Sequence, residues 1–284
     1  MTPVQALVLA AVQGATEFLP VSSSGHLVLV RQILGWSDEG GLLFDIVLHA
    51  GSLAAILAYF WRDAFAVFLA FRPSAFPGRA GSAGEADPAR AESLAEAAAW
   101  RRLPGLVLLA TLPAVAAAPF LKDVLESGAR TASCAGASML MTALWFVLAE
   151  RRAAGRPTAR LTWGRALAAG LAQVVALLPG ASRSGWTAAA GLLGGLPRVE
   201  AVRFAFFMAV PAIAGSLVFD LPGLRAALAA PAAWNLAALG FALSFVFSLA
   251  AIHFCLRFFR TRTLRPFALY LAAAGALVLV LDGF

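Results

Sequence analysis

Residues 13–26 read QGATEFLPVSSSGH and set a glutamate, three serines and a histidine inside a mostly apolar run, 3–35. Pro20 cannot continue a helix, so the run splits into an arm of about 15 residues and one of about 12. A helix needs roughly 20 residues to cross a bilayer, and neither arm reaches that. The pair therefore predicts a re-entrant helix hairpin. Irregular backbone at membrane depth is tolerated only against protein or a water-filled cavity, so a solvated cleft is implied. A second broken run, 165–197, carries PGASRSG at 179–185. A shift of 160 residues lays Gln13 on Gln173, Ser22 on Ser182, Ser24 on Ser184 and Gly25 on Gly185.

The surrounding sequence makes this a membrane chain. Of its 284 residues 61% are hydrophobic and 13% charged, and the mean hydropathy is +0.82; a soluble domain carries about twice that charge fraction. Six stretches are long enough to span, at about 42–61, 103–121, 132–150, 200–220, 233–256 and 265–283. The prediction is an all-α integral membrane protein of six transmembrane helices and two re-entrant hairpins, forming one polytopic domain over 1–284. Arginines orient it. Six lie in 62–102, five in 151–165 and four in 257–265, which assigns these segments to the cytoplasm. The weakly charged loops near 122–131 and 221–232 then face the other side. Each half is one hairpin plus three spans, and an odd number of spans inverts the second half. Repeat 1 (about 1–150, with the cytoplasmic loop 62–102) and repeat 2 (about 165–284) form an inverted-topology repeat with a site near the midplane.

Other signals are simpler. The Gly/Pro/Ala-rich segment 73–100 predicts a loop followed by a short surface helix at about 89–99. The N-terminus lacks the basic region of a cleaved signal, so the first apolar segment stays in the mature protein. The net charge of +7 comes from arginines at the ends of apolar segments, which points to topology and away from a nucleic-acid partner. Cys134 and Cys255 each sit in an apolar span and predict buried, inert thiols.

The polar residues inside the hairpins carry the chemistry, because ionisable groups in a membrane are costly and mark function by default. Gln13 and Glu17 share a helix face at i,i+4. Glu17 reads as a base or a cation ligand, against the plainer alternative of a structural ion pair. Ser22, Ser23 and Ser24 offer hydroxyls at the start of the next arm, where a helix terminus attracts phosphate and a serine also caps. His26, on that first turn, predicts an acid–base or nucleophilic role. Arg183, flanked by Ser182 and Ser184 and followed by Thr187, presents a planar fork beside hydroxyls, an arrangement suited to phosphate. His49 lies mid-span and borders the cavity, whereas His253 reads as structural. No Walker loop, Gly-x-Ser-x-Gly elbow or Cys/His metal spacing is present.

The stretch Gln13–Leu27, FDIVLHAGS at 44–52, Pro179–Gly185 and FAFFMAVPAIAG at 204–215 together resemble the undecaprenyl-diphosphatase family, the bacitracin-resistance proteins, in order and spacing over nearly the whole chain. The resemblance implies an enzyme of the bacterial inner membrane that converts undecaprenyl diphosphate to undecaprenyl phosphate, recycling the carrier lipid for cell-wall synthesis. It implies Glu17, Ser23, His26 and Arg183 as catalytic residues. Gln13, Ser22, Ser24, Ser182, Ser184 and Thr187 would bind substrate. Many members have Glu where this chain has Gln13, so Glu17 carries the ionisable work alone. A divalent cation, Mg2+ or Ca2+, is the candidate cofactor, with Glu17 its one candidate ligand and no closed ligand set in the chain. Ser23 either attacks or positions water. The polyprenyl diphosphate lipid is the expected partner, a homodimer the candidate assembly, and the periplasm the side on which the site opens. The competing reading is a transporter or flippase of an anionic polyprenyl lipid, since broken helices in inverted repeats also build transporters.

Overall fold

Thr2 and Gln5 start the first helix by reciprocal capping. The Gln5 N–H donates to Thr2 Oγ1 at 3.2 Å, and the Thr2 N–H donates to Gln5 Oε1 at 2.8 Å. Pro3 fits the first helical position, where no N–H is needed, and α1 runs Pro3–Glu17. A computed structural model describes residues 1–36, 41–70, 88–127, 131–153, 160–219 and 231–282. After α1, the break around Pro20 leads into α2 (Ser23–Ile33). Then follow α3 (Gly41–Tyr59), α4 (Trp61–Ala70), α5 (Pro88–Ser127), α6 (Ala132–Ala153), α7 (Trp163–Val175), α8 (Arg183–Leu193), α9 (Arg198–Phe219), α10 (Pro231–Phe258) and α11 (Arg265–Asp282). The described residues contain helices and no strand.

Five helices are long and apolar enough to cross a membrane, and the pair α3/α4, bent by 60°, brings the number to six if it counts as one span. They fall on the six predicted stretches. Two boundaries differ. The first span does not end in a loop at 62 but turns into α4. The expected short helix at 89–99 is continuous with the next span, so α5 is one helix of 40 residues. Its Ala/Glu/Arg-rich start has high helix propensity, and the helix runs on through Pro104 where the apolar part begins. The predicted loop at 73–87 lies outside the described residues.

α1 packs on α2 and α7 on α8, while α10 covers both α1 and α3. α6 and α11 cross so closely that a Cβ on Gly136 would stand 2.9 Å from the Gly275 carbonyl oxygen, and one on Gly275 would stand 2.7 Å from that of Gly136. Such small-residue crossings are how helices associate where lipid removes the hydrophobic drive. Serines join the other interface. Ser244 donates to the Leu48 carbonyl at 2.7 Å, and Ser248 donates to Ser52 Oγ at 2.9 Å.

The buried centre is built from Phe18, Phe60, Met139, Phe146, Phe206, Ile252 and Leu271. Outward faces keep large apolar side chains exposed, among them Leu108, Leu112 and Val115 of α5 and Leu269 and Val280 of α11. Apolar surface on that scale suits lipid contact. One buried carboxylate ties three elements: Glu150 accepts from Arg198 Nη2 at 2.6 Å and from the Leu264 N–H at 2.9 Å. Cys255 is buried and Cys134 half-buried, both as free thiols. His253 lies 3.1 Å from the Tyr59 hydroxyl, a contact between helices.

Candidate active site

The two serine motifs repeat the same hydroxyl contacts. Ser22 Oγ accepts from the Gly25 N–H at 3.3 Å, capping α2, and Ser182 Oγ accepts from the Gly185 N–H at 3.2 Å, capping α8. Ser22 and Ser24 hydroxyls are 3.4 Å apart, and those of Ser182 and Ser184 are 3.3 Å apart. The turns also touch each other. The Gly180 N–H donates to Ser24 Oγ at 3.4 Å, and Ser184 Oγ donates to the Leu19 carbonyl at 3.2 Å. Gly180 has φ +87°, and a Cβ there would meet the Ala135 carbonyl oxygen at 2.2 Å. Only glycine lets this turn press on α6.

Glu17 ends α1 at the meeting point, its side chain only 3% exposed. Its Oε2 accepts from Ser23 Oγ at 2.6 Å and from Gln13 Nε2 at 2.7 Å. Its Oε1 accepts from the Arg183 guanidinium, supplied from α8. Four of the expected residues, Gln13, Glu17, Ser23 and Arg183, thus share one carboxylate. His49 joins them from α3, with Nε2 3.7 Å from Glu17 Oε2 and Nδ1 2.7 Å from the Asp45 carbonyl. The remaining N–H groups of Arg183 make no other bond among the described residues, and the side chain is 23% exposed.

His26 stands apart from that carboxylate. Its Nδ1 is 2.7 Å from the Ser22 carbonyl, and its Nε2 meets the Tyr270 hydroxyl. A carbonyl only accepts, so Nδ1 carries the hydrogen, and in the neutral ring Nε2 accepts from Tyr270. The two rings also stack, 5.6 Å between centroids and 12° between planes. The Thr187 hydroxyl is buried and donates to the Arg183 and Ser184 carbonyls of its own helix, at 2.8 and 3.3 Å. Ser24 is exposed and Ser23 half-buried, whereas Ser22, Ser182 and Ser184 are buried.

These residues do not compose a metal cage. Glu17 is the only carboxylate of the cluster and already has a guanidinium on it, while Ca2+ or Mg2+ asks for several oxygen ligands. Among the described residues no three His, Cys, Asp or Glu side chains are grouped to hold an ion.

The sequence profile of the bacitracin resistance protein BacA matches residues 6–277. The chain belongs to the BacA family. A relative from Myxococcus xanthus (strain DK1622), an undecaprenyl-diphosphatase, is 38% identical over 282 residues, covering 99% of this chain and 89% of that protein.

Within this BacA-family fold, Tyr270 is the residue that sequence reading passes over. A tyrosine in an apolar span looks like any lipid-facing aromatic, and only the fold brings α11 to His26. Buried polar atoms lacking a partner among the described residues are Gln13 Oε1 and both amide atoms of Gln173, the two glutamines related by the 160-residue shift.

Proposed function

We propose that the chain hydrolyses undecaprenyl diphosphate to undecaprenyl phosphate and orthophosphate, returning the carrier lipid to cell-wall synthesis and so giving bacitracin resistance. One observation carries the chemical part of this reading. A buried carboxylate from the first half of the chain accepts both the Ser23 hydroxyl and the Arg183 guanidinium from the second half. Charge and nucleophile are thereby set side by side where a phosphate can enter. The family and the relative's activity supply the substrate.

In this reading Ser23 attacks the terminal phosphorus in line, and its proton passes to Glu17 Oε2. An Oγ–P bond forms, the P–O bond to the inner phosphate breaks, and undecaprenyl phosphate leaves with the proton that Glu17 gives up. Water then attacks the phosphoserine, again through Glu17, and restores the Ser23 hydroxyl as orthophosphate departs. The N–H groups of Arg183 not used by Glu17 hold the phosphoryl oxygens, and the α2 and α8 N-termini add their dipoles. His26 serves the same turn from the far side of α2, with Gln13 fixing Glu17. Ser24 lies exposed beside the entering phosphate. A divalent cation, Mg2+ or Ca2+, would supply neutralisation of the diphosphate charge, with Glu17 the one carboxylate of the cluster that could hold it.

The same proposal sets α1–α2 and α7–α8 as re-entrant hairpins of an inverted repeat in the bacterial inner membrane. The packing supports it: α1 on α10 corresponds to α7 on α5, while α6 and α11, which correspond, cross each other. The arginine count sets the ends of the first hairpin outside, which supports an opening on the periplasmic side. The test is phosphate release from undecaprenyl diphosphate by purified protein in detergent micelles, where no gradient exists. Equimolar orthophosphate and undecaprenyl phosphate are expected. No phosphate released in micelles, together with lipid movement between the leaflets of reconstituted vesicles, would refute hydrolysis and leave a flippase.

A further inference from the structure

We propose that Tyr270 is a positioning residue of the active site: through His26 it holds the turn at Ser22 that presents Ser23 to Glu17. The inference rests on the hydrolase reading above.

Ser22 is the one non-glycine residue with positive φ among the described residues, at φ 71° and ψ 97°. Such a conformation costs free energy and persists only where the surroundings over-determine it. Here the Ser22 carbonyl receives two donors from His26, the backbone N–H at 3.2 Å and Nδ1 at 2.7 Å. The second contact requires the proton on Nδ1, which in the neutral ring leaves Nε2 to accept. Tyr270 provides the donor, and its ring stacks on the imidazole. The next residue along from Ser22 is Ser23, whose hydroxyl sits 2.6 Å from Glu17 Oε2. A chain of contacts thus runs from α11 to the attacking group.

The other half of the molecule supplies a control. The 160-residue shift places Trp186 at the position of His26 and Ser182 at that of Ser22. Trp186 also stacks on a ring from another helix, Trp145 of α6, at 4.9 Å and 13°. Its Nε1, however, donates to Thr142 Oγ1 at 2.9 Å and not to the turn. Ser182 has an ordinary φ of −79°. Ring stacking alone is therefore common to both halves and serves packing. The imidazole–carbonyl bond and its tyrosine donor occur only in the half with the strained turn and the serine on the carboxylate. That pairing separates a positioning role from a structural one.

Tyr270→Phe keeps the stack and removes the donor. Losing one hydrogen bond that orients the nucleophile should lower kcat about tenfold while KM stays within about twofold. On a His26→Gln background the same substitution should cost nothing further, because its route is gone. Thermal unfolding should be unchanged, and Tyr270→Leu, which also removes the stack, should lose more. A second arm needs no activity: NMR of isotope-labelled histidine in the detergent-solubilised protein should show His26 Nε2 altered by Tyr270→Phe. A wild-type kcat in Tyr270→Phe, or losses that multiply with His26→Gln, would overturn the proposal. So would an unchanged His26 signal. A wild-type protein that releases no phosphate would instead refute the hydrolase reading, and the NMR arm would then decide the Tyr270–His26 contact alone.

Discussion

Replacing Arg183 by lysine separates charge from shape at the centre of the site. The guanidinium binds Glu17 Oε1 and has further N–H groups, so in the proposed mechanism it joins the base to the substrate. Lysine retains the charge but offers a compact ammonium on a flexible stem, and it cannot serve both partners as a planar fork does. The folded protein should tolerate the change, because Glu17 keeps a cation nearby. The transition state should not. Removing one preorganised donor from developing charge costs about 10²–10³ in kcat, roughly 2.7–4 kcal/mol. Arg183→Ala goes further. Glu17 is 3% exposed and Arg183 23% exposed, so a carboxylate would be left largely buried with no cation on it. Breaking a buried pair in this way costs about 3–5 kcal/mol of stability. Phosphate release in detergent, run beside thermal unfolding, reads both effects. Lys should fail in turnover with an unfolding temperature close to wild type, and Ala should fail in both. Near-normal turnover in Arg183→Lys would refute the shared-fork reasoning.

Two other substitutions probe the frame. Gly180→Ala should abolish activity and lower the unfolding temperature by about 5 °C, since its Cβ would run into the Ala135 carbonyl from a backbone at φ +87°; wild-type behaviour would mean the turn is not held against α6. In a background lacking Cys134 and Cys255, Thr261→Cys should react with impermeant thiol reagents only from the cytoplasm and Thr131→Cys only from outside. Labelling from the opposite sides would invert the orientation.

The sequence made the spans readable because crossing a membrane demands long apolar runs, and the runs near 132–150 and 200–220 became α6 and α9. The paired motifs were equally legible: the 160-residue match of Ser22 with Ser182 reappears as two helix caps closed by the same serine-to-glycine hydrogen bond. Helix continuity was not legible. Nothing apolar marks where α5 begins, and its propensity-driven start read as a separate element. The convergence of Glu17 with Arg183 was expected from chemistry, but the place of His26 was not. The sequence puts it one turn from Ser23, yet its ring points to α11, which only tertiary packing decides. For His49 a signal did exist, since an imidazole in the middle of an apolar span needs a partner, and Glu17 Oε2 lies 3.7 Å away.

In the proposed mechanism the buried Glu17 carboxylate is the base of a phosphatase. A single-turnover comparison of wild type and Glu17→Gln on undecaprenyl diphosphate, with binding measured separately, tests it most directly. The amide keeps the size and a hydrogen bond to Ser23 but takes no proton, so substrate should bind while phosphate release falls about 10³-fold or more. Release at the wild-type rate from Glu17→Gln would contradict the account.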